Sequence, residues 1–300
     1  MLAVLLAAAA SGLPATKING AVMSFVDPKT RSKVVLVGSM HYNPHSIGLA
    51  RTTVEQEAAN GRLRGVCVES CPTRWNATLE AQPVGSFLRA LCDNEMQSGQ
   101  EAGEAAGAEI VLADQSIEDT GRRIVQVTAQ TLVELATPWR GGWNRIGDDF
   151  AQAFSQLAAG DGNCLGPDAL LDPRLLLGIP LSFARYPLSI GVKSPVVLAV
   201  LALALGLPLL DADGGLAADA VLDDATAIRE LLGALAFALL ETVVLGRVLL
   251  VALLEERNFV LARNIRRAAL AGKPGGTVVA VLGMAHCNGV GKVLRESRIV

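Results

Sequence analysis

The sequence predicts an α/β fold in which a central sheet, mixed or mostly parallel, is flanked by helices. Three observations favour this fold. Short apolar, β-branched runs alternate with stretches of helical composition along the first half of the chain. The run at residues 33–41, KVVLVGSMH, has a near-copy at residues 277–286, TVVAVLGMAH. Between the two copies, residues 166–254 are strongly apolar, which predicts a helical insertion before the last helix and strand.

Composition limits the classes of function. The chain has 300 residues, a net charge of −3 and 18% charged residues, whereas an ordinary soluble domain has about 25%. No basic field is present to attract phosphate backbones, so the sequence argues against nucleic-acid binding. The hydrophobic share of 51% indicates membrane contact or an unusually buried segment. The five cysteines are scattered, which is not the pattern of a disulfide framework.

Recognisable turn residues divide the beginning of the chain into elements. Residues 1–15 are apolar and alanine-rich, and we interpret them as a targeting segment or a stub, with an N-terminal helix as the alternative. Residues 20–27 and 33–38 predict a hairpin, because the Asp-Pro-Lys-Thr stretch between them favours a turn. A helix is expected from Ser46 to Asn60, ended by Gly61.

Two more strands and their helices follow. Residues 65–69 (GVCVE) and 108–113 (AEIVLA) predict buried strands that end at Glu69 and before Asp114. The helices expected around them are residues 72–81, 84–107 and 117–136, the last capped by Ser116 or Asp119. Residues 137–168 are rich in glycine and proline, so they predict turns and a boundary.

Two apolar stretches inside residues 166–254 indicate either membrane contact or a buried helical layer. Residues 195–210 carry no charge, but their sixteen residues are fewer than the about 20 that a spanning helix needs. Residues 231–254 are long enough but contain Glu241 and Arg247, each of which would cost about 2.5–3.5 kcal/mol at the bilayer centre. The interpretations are a membrane hairpin, a helical cap over the site, or a helical hairpin used for homodimerisation.

The second copy of the motif completes the predicted core. Residues 255–271 predict an amphipathic helix, which the following Gly-Lys-Pro-Gly-Gly stretch ends. The strand of the second copy and a short tail come next. The core therefore consists of two parts, residues 16–165 and residues 255–300, with the apolar region inserted between them.

Polar side chains able to hold a divalent cation follow four of the predicted strands. They are His41, Glu69, Asp114 and His286. The carboxyl ends of parallel strands share one edge of a sheet, where ligands usually bind, although the sequence alone does not establish parallel order. Two imidazoles with one or two carboxylates suit Zn²⁺, Mn²⁺, Fe²⁺ or Co²⁺. The sequence therefore predicts a metal site, with Asp114 as a fourth ligand or as a group that orients the others.

The glycine before each histidine has a separate expected role. Gly38 and Gly283 would let the backbone turn sharply after the strand, so that each histidine points inward. A simpler interpretation makes His41 a helix cap and His286 a core histidine with its hydrogen bonds satisfied. The third histidine, His45, is expected to be a loop residue.

Five blocks of sequence follow the order found in a known family. The blocks are Gly38–His41, Val68–Trp75, Gly107–Asp114 with Thr120, Arg122 and Arg123, Glu256–Asn258, and Val281–Val290. They resemble the Gly-Thr-x-His, Val-Glu-Leu-Cys-x-x-Arg-Tyr, Gly-Ala with Thr-x-Arg-Arg, Glu-Arg-Asp and Gly-x-x-His-x-x-Gly motifs of the TraB family. That family includes PrgY-type pheromone-shutdown proteins and is related to GumN and the TIKI proteases.

The resemblance implies an α/β fold shared with the TIKI and erythromycin-esterase-like proteins. It implies metal-dependent hydrolysis, because TIKI-type members are Mn²⁺- or Co²⁺-dependent proteases that use the Gly-x-x-His histidines. It also implies membrane association, which for eukaryotic members is at a mitochondrial or plastid membrane. The chain departs from the family at Ser70, Gln115 and Asn258, and the last two changes remove an ion pair from the site region.

The function expected is hydrolysis of peptide bonds with a divalent metal, Mn²⁺, Co²⁺ or Zn²⁺, bound by His41 and His286. Glu69 is expected to be a third ligand or the general base for a metal-bound water. Three arginines are expected to anchor a substrate carboxylate or stabilise an oxyanion, with ordinary salt bridges as the alternative: Arg74, Arg123 and Arg257.

A rival interpretation belongs to another class of protein. In it, the chain is a catalytically inactive, membrane-associated adaptor that binds a peptide without cleaving it. The apolar stretches and the three departures from the family favour this interpretation. A weaker third interpretation gives the histidines to haem. If the protein is the metal-dependent hydrolase, its expected partner is a peptide or small-molecule substrate.

Overall fold

Six strands form one sheet in the part of the chain that the computed structural model describes, which is residues 16–157, 165–196, 198–199, 224–271 and 275–296. The strands are β1 (Thr16–Asn19), β2 (Val22–Val26), β3 (Lys33–Ser39), β4 (Leu63–Val68), β5 (Glu109–Leu112) and β6 (Thr277–Gly283). Their order is β1-β2-β3-β6-β4-β5, with β1 and β2 antiparallel to their neighbours and the other four parallel. The predicted α/β fold with a mixed, mostly parallel sheet is confirmed.

Helices cover both faces of the sheet. They are α1 (Pro44–Ala59), α2 (Pro72–Ala81), α3 (Phe87–Leu91), α4 (Glu95–Ala105), α5 (Ile117–Ala136), α6 (Gly142–Leu157), α7 (Pro167–Leu170), α8 (Pro173–Lys193), α9 (Asp224–Arg247), α10 (Glu256–Ala271) and α11 (Met284–Arg295). A π-helical segment, Val248–Glu255, joins α9 to α10. Helices α1 and α4 pack on one face of the sheet, and α10 and α11 pack on the other.

The two copies of the repeated motif form neighbouring strands at the centre of the sheet. β3 and β6 pair in parallel along their whole length, with Ser39 opposite Gly283 at the end. Both strands are apolar on both faces because helices cover both faces, as is typical of parallel strands. In β4, Cys67 lies on the face toward α10 and α11, whereas Val66 and Val68 lie on the other face.

The predicted hairpin between β2 and β3 is confirmed. Asp27 at its turn is fully buried, and its carboxylate accepts a hydrogen bond from the backbone N–H of Thr30. Arg31 adopts a positive φ of 60° as the chain reverses. Arg266 of α10 donates to Asp27 Oδ1 over 2.8 Å, and this buried ion pair fixes the turn to the helix layer.

The prediction that residues 137–168 form turns is wrong for most of that stretch. Pro138–Arg140 forms a short 3₁₀ helix, and α6 follows it through Leu157. Gly141, with a φ of 72°, separates the two helices. Apolar residues such as Ile146 and Ala153 are buried at helical spacing along α6, so tertiary packing outweighs the glycines of this stretch.

Capping residues divide the first half more finely than the periodicity predicted. The single helix expected at residues 84–107 is two helices, because Ser86 caps α3 and Asn94 caps α4. The side chain of Ser116 caps α5, as expected, by accepting the N–H of Asp119. The last strand is followed by helix α11 rather than by a short tail.

The inserted apolar region includes a helix that precedes the two apolar stretches at residues 195–210 and 231–254. Helix α8 contains Pro180 and Pro187, which argue against a helix in a sequence, yet it runs unbroken for 21 residues. Most of the stretch at 195–210, and all of residues 1–15, lie outside the described residues. By length and composition, two described helical stretches could cross a membrane: Pro173–Lys193 and Ile228–Ala271.

Candidate functional site

The ends of β3, β6 and β4 bring three of the predicted side chains together. His41 follows β3, Glu69 follows β4, and His286 lies in the first turn of α11, after β6. The Nε2 atom of His286 is 3.3 Å from Glu69 Oε1. A Cβ atom built on Gly283 would lie 3.2 Å from Glu69 Oε2 and 3.5 Å from His41 Nε2. His286 Nε2 therefore contacts the Glu69 carboxylate, and His41 Nε2 lies beside the same carboxylate at Gly283.

Glu95 determines the orientation of His41. The Nδ1 atom of His41 is 2.6 Å from Glu95 Oε1, and the same carboxylate accepts the hydroxyl of Ser39 and the backbone N–H of Tyr42. Burial alone would lower the pKa of His41, but Glu95 outweighs burial and raises the pKa to about 9. With Nδ1–H donated to Glu95, the Nε2 side of the ring is directed at Gly283 and Glu69.

Asn258 has the corresponding role for His286. Its Nδ2 donates to Gln156 Oε1 over 2.9 Å, which leaves Oδ1 to accept from Nδ1 of His286, 2.8 Å away. Nδ1 therefore carries a proton in this hydrogen bond, and the contact fixes the ring so that Nε2 is directed toward Glu69. Asn258 stands where the resembling family has Asp, so the departure replaces a charged acceptor with a neutral one.

Glu69 is a buried carboxylate surrounded by donors. Its Oε2 accepts the backbone N–H of Gly283 over 2.6 Å, and its Oε1 accepts Arg257 Nη2 over 2.6 Å. Burial would raise the pKa of Glu69, but His286, Arg257 and His41 hold that pKa well below its usual range. Glu69 is therefore ionised across the physiological pH range.

Asp114 contacts arginines rather than histidines. Its two oxygens accept from Arg257 Nε at 3.0 Å and Nη2 at 2.5 Å, and Arg74 also donates to it. Only 7% of Asp114 is exposed, so both guanidinium groups neutralise a buried charge. Of the two expected roles, this geometry supports the orienting one, since Asp114 positions Arg257 against Glu69.

Arg123 and Glu256 lie at a different place from the histidines. Arg123 donates three hydrogen bonds of 2.6–2.9 Å to Glu256, in the ion-pair arrangement that was the alternative to a catalytic role. Both residues line a cavity of about 210 Å³ between α5, α6 and the π-helical segment. Arg247 and Glu255 line the same cavity. Arg123 and Glu256, which belong to two different motif blocks of the sequence, thus meet in an ion pair.

The expected role of the two glycines is corrected. Gly38 lies inside β3 and Gly283 ends β6 with a φ of −54°, so neither needs a left-handed conformation. A Cβ on Gly38 would lie 2.7 Å from a methyl group of Leu165, and one on Gly283 would crowd Glu69. Both positions require close approach of neighbours. The positive φ near the site, 62°, belongs to Tyr42, where a non-glycine residue is strained.

The structure does not support the interpretation of His41 as a helix cap or the expected loop position of His45. Asn43, not His41, caps α1 by accepting the N–H of His45. His45 lies in the first turn of α1 rather than in a loop, and its Nε2 is 3.7 Å from Asp172. Its side chain contacts neither Glu69 nor the other histidines in the described hydrogen bonds, so it offers a control for them.

The sequence did not indicate Glu95 or Tyr186 as site residues. Glu95 opens α4, inside the single helix that the sequence predicted over residues 84–107, although its cap, Asn94, marks the helix start. Tyr186 of α8 stacks on His41 with ring centroids 6.2 Å apart. No local signal identifies these two, because their positions depend on how α4 and α8 pack against the end of β3.

The arrangement fits a divalent ion in part. Each imidazole has its Nδ1 held by an acceptor and its Nε2 directed toward a carboxylate, which is how metal-binding histidines are usually positioned. Against this, no group of three or more His, Cys, Asp or Glu side chains within the described ranges has the spacing of a metal site. Arg257 supplies the positive charge beside Glu69.

No family model matches the chain, and no curated protein matches it.

Proposed function

We propose that the protein is a metal-dependent hydrolase acting on peptide bonds, as the TraB-like motifs imply. The observation that supports this most is the convergence of two imidazole Nε2 atoms on one ionised, buried carboxylate. His286 Nε2 and Glu69 Oε1 are 3.3 Å apart, and His41 approaches from the neighbouring strand end. Two imidazoles and one carboxylate form the donor set of many hydrolytic metal sites.

His41, His286 and Glu69 would hold the ion, which supplies an acidified water and polarises a carbonyl group when bound. Glu95 and Asn258 keep the two rings in the orientation that directs Nε2 inward. Arg257, anchored on Asp114, keeps Glu69 ionised in a buried position. These contacts together position the donors before any ligand binds, which lowers the reorganisation that binding requires.

A hydrolysis assay on matched histidine variants tests the proposal. The full chain, purified in detergent, is incubated with a peptide library and Mn²⁺ or Co²⁺. We expect wild type and His45→Ala to cleave the same peptides and His286→Ala to lose cleavage, because only His286 contacts Glu69. Cleavage by His286→Ala at the wild-type rate would contradict the proposal.

One observation favours the second candidate, an inactive peptide-binding protein. Arg257 already satisfies Glu69 and Asp114, so the site has a neutralising cation of its own. Under this alternative, an Arg257→Gln variant gains no metal, and wild type binds peptides that it never cleaves. Turnover by wild type that depends on added metal excludes this candidate.

We further propose that the protein associates with a membrane through helix α9. Every side chain from 228 to 242 is exposed, and the large apolar ones among them include Leu231, Phe237 and Leu239 at about 60% exposure or more. A helix that is apolar on all sides is stable in lipid or when covered by protein, not in water. Resistance to carbonate extraction supports the proposal, and release into the soluble fraction as a stable dimer would indicate the dimerisation hairpin instead.

A further inference from the structure

Helix α8 carries a polar stripe that faces the histidine site. The stripe comprises Ser182, Arg185, Tyr186, Ser189 and Lys193, which repeat at spacings of three and four residues and so share one side of the helix. Ser189 is fully buried, whereas Leu177 and Phe183 on other sides are 81% and 76% exposed. An apolar helix thus directs polar side chains toward Tyr42 and the helices α1 and α2.

The stripe is held against the residue that follows His41. Tyr186 stacks on the His41 ring and meets the Tyr42 ring edge-on, with centroids 5.8 Å apart. The hydroxyl of Tyr42 is 2.7 Å from Ser189 Oγ. The polar stripe therefore borders the histidine site directly, along the side that α8 covers.

Two cations of the stripe contact Tyr42 at its two ends. Arg185 Nη1 donates to the backbone carbonyl of Tyr42 over 3.5 Å, and Lys193 Nζ donates to its hydroxyl over 3.3 Å. Both cations are half-buried. Across the described part of the chain, neither forms an ion pair with a carboxylate, unlike the arginines around Asp114.

Other groups in this region increase the excess of positive charge. Burial raises the pKa of the Cys92 thiol, and Arg185 and Lys193 are close enough to oppose that rise. Arg74 is close enough to repel Lys193, and its buried Nε has no acceptor among the described residues. Arg185 and Lys193 are half-buried and have no carboxylate partner among the described residues, and such cations are stabilised by a bound anion.

We propose that the α8 stripe binds a carboxylate of the substrate, with Arg185 and Lys193 as the binding residues. The substrate class is then a peptide or small acid with a free carboxylate near the bond presented to His41 and His286. The Arg185 guanidinium suits a planar carboxylate at the end of an extended chain, and the Lys193 ammonium adds a second positive charge on the same side of the helix. The inference rests on the proposed function for the position of the cleaved bond, but not for binding itself.

Calorimetric titration of the full chain in detergent tests this inference. The probes are N-acetyl-alanyl-alanine and the same peptide as its C-terminal amide, which differ in charge alone. Wild type is expected to bind the acid about 10- to 100-fold more tightly than the amide, the range for charge-assisted hydrogen bonds. Equal binding of acid and amide by wild type overturns the inference without any variant.

A pair of double variants assigns the preference to the stripe. Arg185→Gln with Lys193→Gln is expected to abolish the preference for the acid. The control, Arg64→Gln with Arg174→Gln, removes the same charge from exposed positions and is expected to keep it. Retention of the preference by the first variant overturns the inference, and Arg185→Lys, which keeps the charge, shows whether packing alone is responsible.

The failure of this inference is separable from that of the proposed hydrolysis. His286→Ala is expected to lose cleavage and to keep the preference for the acid, because the stripe does not contact His286. A wild type that cleaves peptides but binds acid and amide equally keeps the hydrolase and removes the carboxylate subsite.

Discussion

Two of the regions that bury charges, the Arg247 cluster and the strand ends, differ in what they leave free. Around Arg247, each group is paired: its guanidinium donates to Glu134 over 2.5 Å and to Asp149 over 2.5 Å, and its side chain is 3% exposed. At the strand ends, the same kind of ion pair holds Glu69, but two imidazole Nε2 atoms face it and have no second partner among the described residues.

The difference teaches that buried charge by itself does not mark a functional site. The Arg247 cluster has the composition of a site and lines the 210 Å³ cavity, yet its hydrogen bonds are complementary and closed. The strand-end cluster holds donors in a fixed orientation with capacity left for a ligand. We expect changes in the first region to alter folding and changes in the second to alter binding.

The largest effect is expected from Arg247→Gln. The change leaves Glu134 buried without its main cation, and breaking such a pair typically costs about 3–5 kcal/mol of unfolding free energy. Denaturant unfolding of the purified chain measures it. The control is Arg145→Gln, which also loses a bond to Glu134 but is half-exposed, so a loss of about 1 kcal/mol or less is expected. Equal losses would refute the distinction.

Acid should weaken the same region. Burial raises the pKa of Glu134, but the contacts with Arg145, Gln130 and Arg247 outweigh burial and lower this pKa to about 2. Because this folded-state pKa lies below the unfolded value, the stabilisation is present above pH 4.5 and is lost as the pH falls toward 2. The linkage is worth at most about 3 kcal/mol.

Unfolding measured from pH 6 to pH 2 checks this prediction. Glu134→Gln removes the titrating group, so its stability should depend less steeply on pH over that range than the stability of wild type. An unchanged slope in the variant would show that other carboxylates account for the acid sensitivity.

At the strand ends, Glu95→Gln should alter binding more than folding. The change removes the charge that orients His41, and loss of such a supporting group typically lowers metal affinity by about 10- to 100-fold. Metal titration followed by calorimetry measures the affinity. Glu101→Gln lies on the same helix, bonds Arg51 and Arg89 instead, and should bind metal like wild type.

The smallest effects are expected from alanine substitutions of the two glycines, which also form the most closely matched pair of variants. Gly38→Ala forces a methyl group against Leu165 within the core and should lower the unfolding free energy by about 1–3 kcal/mol. Gly283→Ala presses on Glu69 Oε2 at 3.2 Å, a contact that a small shift relieves. It should therefore reduce metal affinity with little loss of stability. Identical profiles for the two variants would contradict this division.

Much of the sheet was predictable because its strands are marked by pattern. The repeated apolar run identifies β3 and β6, and their shared Gly-x-x-His ending indicated one site before the pairing of the strands was known. The position of β4 beside β6, which brings Glu69 into the site, depends on tertiary packing that no local pattern contains.

The parts that could not be predicted depend on contacts distant in sequence. Glu95 is ordinary within its own helix and acquires its role through His41, 54 residues away. The sequence predicted a helical insertion within residues 166–254 but not the bounds of α8, whose Pro180 and Pro187 both lie on its exposed surface. The glycines of α6 led to a wrong prediction of turns, because packing of the apolar side of this helix outweighs the low helix propensity of glycine.

Cobalt binding tests the central claim most directly, because Co²⁺ bound by imidazole and carboxylate absorbs visible light whether or not the protein is catalytic. We predict that wild type and His45→Ala bind one equivalent with the same spectrum, whereas His41→Ala and His286→Ala lose it. If His286→Ala binds Co²⁺ with the affinity and spectrum of wild type, the two strand-end imidazoles do not form a common metal site.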